Sequence, residues 1–125
     1  MASWGKSAMP LYIVEKMLDD LVLLDLRGRL ILGRETADLR GRLGRLLDSG
    51  HLRIILKLEG VSYIDSSGLS TLVACYTSAR KRGGDLKLTH LTTRVRDLMQ
   101  ITRLSTVFET YNTVEEAQKS FQASS

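Results

Sequence analysis

Leu52 to Leu58 is a short run dense in Leu and Ile, bounded by polar and glycine-rich sequence. A strand of this kind is apolar on both sides of the pleat, so the chain must lay structure over both faces of its sheet. An amphipathic helix precedes it. From Thr36, Leu39, Leu43, Leu46 and Leu47 recur at helical spacing, Arg40, Arg42 and Arg45 fall on the other side, and Gly50 supplies a stop. Gly41 and Gly44 inside that helix each cost about 1 kcal/mol relative to Ala, which implies either a close backbone approach or a weak helix.

The remaining elements fall on either side of this pair. Leu11 to Lys16 and Leu21 to Arg27 are short apolar segments separated by Leu18-Asp19-Asp20, which predicts an antiparallel hairpin. Gly28 ends the second strand or marks a bulge, and Gly33-Arg34-Glu35 forms a loop. Beyond Gly60 and Tyr63, Leu69, Leu72, Val73, Tyr76 and Ala79 trace a second amphipathic helix, closed by Arg82-Gly83-Gly84. Asp85 to His90 reads as a strand, Val95, Leu98 and Met99 as a short helix, and Val107 with Phe108 as a brief edge strand. Thr113 and Glu116 have the spacing of a capping box opening a last helix. The order predicts one α/β domain with a mixed central sheet of roughly four to five strands and about four helices. At 125 residues and 43% hydrophobic content the chain suits a single core.

Composition narrows the function classes. Aromatics are 6%, too few for a stacking platform on single-stranded nucleic acid, and the formal charge of +4 is scattered rather than striped. The longest basic run, Arg80-Lys81-Arg82, closes a helix, where cations complement the dipole, so no direct nucleic-acid partner is expected. Cys75 is the single cysteine, and neither His51 nor His90 lies at metal-ligand spacing from it, so neither a disulfide nor a metal site is expected. Residues 1–10 carry no apolar h-region, and Asp25, Arg27 and Arg29 interrupt the greasiest stretch, Leu21 to Leu32. The expectation is a reduced, cytoplasmic domain without membrane association.

The run Tyr63-Ile64-Asp65-Ser66-Ser67-Gly68-Leu69 sets two hydroxyls and a carboxylate between strand and helix. Residues there point away from the core, beside the unpaired N–H groups of a first helical turn, which can accommodate a phosphate. The plain alternative is a turn with a helix N-cap. No P-loop, G-x-G-x-x-G or Gly-x-Ser-x-Gly fingerprint is present, so no nucleotide cofactor is implied. Asp65, Ser66 and His90 could form a nucleophilic arrangement, although a Ser and His coincidence of this kind is common.

Val61 to Leu72, with its Tyr-Ile-Asp-Ser-Ser-Gly-Leu core, resembles the signature of the STAS domain family, in particular the bacterial anti-sigma factor antagonists that work by partner switching. The resemblance runs from about Leu11 to Phe121, through the strand ending in Gly28, the helix from Thr36, the strand Ile54 to Leu58, Gly83-Gly84, and the Leu spacing between Val95 and Leu104. It implies a flexible segment over 1–10, a STAS domain over 11–121 and a tail over 122–125. It also implies that Ser66 accepts a phosphoryl group from an ATP-binding partner that is both anti-sigma factor and serine kinase, and that a serine phosphatase reverses the step. Asp65, Ser67, Gly68, Gly33, Arg34 and Thr36 would lie at the partner interface, and the chain would be a substrate with no catalytic residues of its own. Two positions depart from the family pattern: Gly28 is followed by Arg29, Leu30 and Ile31 where an acidic residue is common, and Arg103 stands where a small residue, commonly Gly, is usual. Two other functions compete with this one, a STAS subunit of a transporter or stress-signalling complex and a small serine hydrolase using Ser66 and His90.

Overall fold

The computed structural model describes residues 11–123. The segment 1–10, expected to be flexible, and the end of the expected tail, 124–125, lie outside the described residues. Strand β1 (Tyr12–Leu18) turns at Asp19-Asp20 into β2 (Leu21–Leu30), and the two pair antiparallel from Leu18 opposite Leu21 to Tyr12 opposite Arg27. Asp19 takes φ 57°, the left-handed conformation that a short polar side chain tolerates in a tight turn. Helix α1 (Arg34–Asp48), β3 (Arg53–Ile64), α2 (Ser66–Lys81), β4 (Asp85–Thr89), α3 (Thr93–Ile101), β5 (Thr110–Tyr111) and α4 (Val114–Ala123) follow. The five strands lie in sequence order, with every pair after the first parallel. This is the predicted single α/β domain with a mixed sheet and four helices.

The Leu52 to Leu58 run divides between two cores, as its composition requires. Ile54, Leu56 and Leu58 join Leu24, Leu39, Leu43, Leu72 and Leu88 in the main core under α1, α2 and α3, while Ile55 faces a smaller one under α4 with Leu21, Leu23, Ala117 and Phe121. Lys87 enters that smaller layer, 2% exposed, with its ammonium 4.3 Å from the Phe121 ring centre and 3.2 Å from Glu109. A buried ammonium is tolerated because ring and carboxylate together replace water.

Several boundaries differ from expectation, each for a local reason. β3 does not stop near Leu58 but continues to Ile64, because two register shifts against β2 each absorb an extra β3 residue. Gly60 permits the first, since a Cβ there would stand 2.7 Å from Arg27 Cγ and 3.0 Å from the Leu26 carbonyl oxygen. Gly28 therefore lies within β2, at φ 115°, and does not end it. The edge strand is Thr110–Tyr111 rather than Val107 and Phe108. Phe108 is instead buried, edge-on to Tyr76 with ring centres 5.4 Å apart, and only after this plug does the chain reach β4.

α1 begins at Arg34, two residues before Thr36, and α2 at Ser66, three before Leu69. No close backbone approach explains Gly41 or Gly44: a Cβ at Gly41 would meet only the end of Arg45, and one at Gly44 nothing. Burial of Leu39, Leu43, Leu46 and Leu47 holds the helix instead. The capping box forms as predicted, with the Glu116 N–H donating to Thr113 Oγ1 and the Thr113 N–H to Glu116 Oε1.

Candidate functional site

Leu30 and Ile64 pair as the last residues of β2 and β3, so the loops leaving these strands start side by side at the carboxyl end of the sheet. Asp65 joins them. One carboxylate oxygen accepts from the Gly68 N–H at 2.8 Å and caps α2; the other accepts from the Leu32 N–H at 3.1 Å in the loop before α1. Its own N–H donates to the Leu30 carbonyl. Gly68 completes the junction, because a Cβ there would lie 2.1 Å from the Leu30 carbonyl oxygen. Only glycine lets the first turn of α2 approach β2 this closely.

With Asp65 committed to backbone, Ser66 is left as the exposed first residue of the helix. It stands on a ridge between two depressions. A groove of about 760 Å³ is lined by Tyr63, Ser66, Arg94, Asp97, Leu98 and Ile101, among others. A smaller one, about 270 Å³, runs between α1 and α2 past Leu32, Thr36, Arg40, Ser66, Ser67 and Ser70. Around these, Leu32 is 73%, Tyr63 40% and Ile101 78% exposed, so large apolar side chains rim both depressions.

The predicted site residues fall into two groups. Asp65, Ser66, Ser67 and the Gly33 loop come together at this end, and Arg34 is exposed in the first turn of α1 but lines neither depression. Thr36 and Gly68 face inward: Thr36 is 8% exposed and its hydroxyl donates to the Gly33 carbonyl, so both residues shape the surface more than they present it. His90 lines neither depression that contains Ser66; its Nδ1 lies 3.0 Å from Thr89 Oγ1. Asp65 makes its side-chain hydrogen bonds to the Gly68 and Leu32 amides, while the His90 ring is partnered by Thr89. Burial pushes the Cys75 thiol up to about 12, which removes it as a nucleophile at neutral pH. Among the described residues no His, Cys, Asp and Glu cluster could hold a metal, and no helix is long and apolar enough to cross a membrane.

The sequence reading missed the aromatic and cationic side of the large groove. The Arg94 guanidinium lies 4.8 Å and that of Arg29 5.9 Å from the Tyr63 ring centre. These residues are far apart in the chain, so no local spacing announced them. Ile101 left no such signal either: it lies three residues after Leu98, at the edge of the apolar face of α3, so its spacing alone does not mark it as exposed.

Comparison with known proteins agrees with the architecture. The pattern for the STAS domain matches residues 12–117. The anti-sigma-B factor antagonist of Bacillus subtilis is 42% identical over 72 residues, which is 57% of this chain and 64% of that protein, so the match spans just under two thirds of the relative. The anti-sigma-B factor antagonist of Listeria monocytogenes is 39% identical over 61 residues, 47% of this chain and 54% of that one. In structure, an anti-sigma factor antagonist from Mycobacterium paratuberculosis superposes with a TM-score of 0.75 at 21% identity, covering 88% of this chain and 92% of the other. The Bacillus cell fate determinant SpoIIAA in its phosphorylated form gives 0.69 at 21% identity, covering 88% and 99%. With five strands, four helices and the Asp-Ser-Ser-Gly junction all in place across the matched region, this chain belongs to the STAS domain family.

Proposed function

We propose that the chain is an anti-sigma factor antagonist that works by partner switching, with Ser66 as the residue modified. The unmodified form binds an ATP-binding anti-sigma factor with serine kinase activity and frees a sigma factor; phosphorylation ends that binding, and a serine phosphatase restores it. The chain is a substrate in this cycle and not an enzyme. The observation that carries the reading is the division of labour at the junction: Asp65 supplies the cap and the loop tether, and the adjacent Ser66 hydroxyl stands exposed on an apolar rim.

The energetics favour release without unfolding. A phosphate adds about 1.5 to 2 negative charges. At the start of α2 the helix dipole favours the anion by about 0.3 to 1 kcal/mol, so the domain tolerates it. In a closed interface the same dianion must be desolvated or face partner carboxylates, a cost of several kcal/mol, and each 1.4 kcal/mol is tenfold in affinity. The larger effect decides the outcome, and the modified chain lets go.

The test is to incubate the chain with its candidate kinase and ATP and to map the phosphate. Incorporation at Ser66 that disappears in Ser66→Ala, with Ser66→Ala still binding the kinase, is the expected result. Modification elsewhere, ester hydrolysis lost in His90→Ala, or capture of membrane transport proteins in place of a kinase would refute it.

A further inference from the structure

Arg94 has no assigned role, and its setting is unusual. It is exposed at the second position of α3, and its guanidinium is held over the Tyr63 ring three residues before Ser66. Asp97 follows one turn later on the same helix, yet no carboxylate lies within ion-pair distance of Arg94 among the described residues. The side chain is thus positioned by an aromatic face while its charge and all its forked donors stay available. Arg94 and Ser66 line the same groove.

We propose that Arg94 is the intramolecular partner that binds the Ser66 phosphate, so that modification rearranges the groove wall at Tyr63 as well as charging its rim. This rests on the reading of Ser66 as the phosphorylated residue. Guanidinium and phosphate match as a bidentate pair, and a charge-assisted pair outcompetes an exposed ring contact. Swinging from Tyr63 to the phosphate, Arg94 would draw its donors away from the groove's aromatic wall, removing the surface a partner reads in the unmodified state. Other charges facing the phosphate are few. Asp65, at the head of α2, has both oxygens on amides; Asp97 on α3 opposes binding; Arg29 on β2, beside Tyr63 in the ladder and 5.9 Å from its ring, does not line the groove; Arg40 on α1 lies in the other depression. Arg40 is the competing donor to the phosphate, and the groove it lines with Ser66 lacks any aromatic support for it.

The test needs no partner protein. The chain is produced with phosphoserine installed at position 66, and its second phosphate ionisation is followed by phosphorus NMR. An adjacent guanidinium lowers that pKa by about one unit, the low end of the range for an opposite charge because the site is open to water. The account expects this lowering in the parent chain, its loss in Arg94→Gln, its partial return in Arg94→Lys, and no change in Arg40→Gln. Arg94 is exposed, so the variants keep the amide spectrum of the folded domain. Equal ionisation in the parent and Arg94→Gln, or a lowering lost in Arg40→Gln instead, overturns the inference. Either result leaves partner release by phosphorylation standing, since that is read separately in binding.

Discussion

Asp65→Ala removes the one side chain that holds both loops of the candidate site. The cap on the Gly68 N–H is worth about 1 kcal/mol, and the bond to the Leu32 N–H, exposed and able to turn to water, about 0.5 to 1 kcal/mol. The sum predicts a loss of about 2 kcal/mol in unfolding free energy, or a fall of about 8 °C in Tm for a domain of this size. Asp65→Asn should lose about half as much, because its amide keeps one acceptor for Gly68 but presents a donor to the Leu32 N–H. Urea unfolding gives the free energies, and hydrogen exchange at the Leu32 amide isolates the tether. Both variants should exchange faster there than the parent. If Asp65→Ala changes stability by less than about 0.5 kcal/mol and Leu32 exchange is unmoved, the carboxylate does not tie the loops and the division of labour with Ser66 fails.

Gly68→Ala forces a methyl against the Leu30 carbonyl, so a destabilisation of about 3 kcal/mol is expected by the same unfolding assay, far above an ordinary helix Gly→Ala change. Arg103 follows α3 at φ 62°, where a side chain costs about 1 kcal/mol, so Arg103→Gly should stabilise by about that amount. The Tyr111 hydroxyl first, and Lys87 after it, hold the Glu109 carboxyl below its usual range; a depressed folded pKa gives stability above the unfolded pKa that is lost as pH falls through the folded one. Glu109→Gln should therefore be less stable than the parent at pH 7 by no more than about 1 kcal/mol, since the side chain is half exposed, and the gap should vanish in acid.

What could be read from the chain followed from local chemistry. The two-faced strand, the leucine period of α1 and the capping box each declare themselves within a few residues, and the hairpin is announced by Asp19-Asp20 between apolar runs. The length of β3 was not legible, because bulges that carry a ladder past Gly60 depend on the neighbouring strand and not on the strand's own pattern. The same holds for Phe108, whose aromatic, strand-like appearance served the core instead. At the site, the Asp-Ser-Ser-Gly run located the junction, and the N-cap reading of Asp65 is the geometry found. Its second bond, to Leu32, spans a sequence separation that no motif encodes, and so do the arginines on Tyr63. Arg103 departs from the family pattern, and its positive φ supplies the physical reason a glycine suits that place.

The most direct measurement is calorimetric titration of the candidate anti-sigma kinase, without ATP, into the chain carrying phosphoserine at position 66 and into the unmodified chain. A penalty of about 3 kcal/mol or more at the interface predicts at least about a hundredfold loss of affinity, with both forms retaining the same folded spectrum. Equal affinities for the two forms would contradict the account.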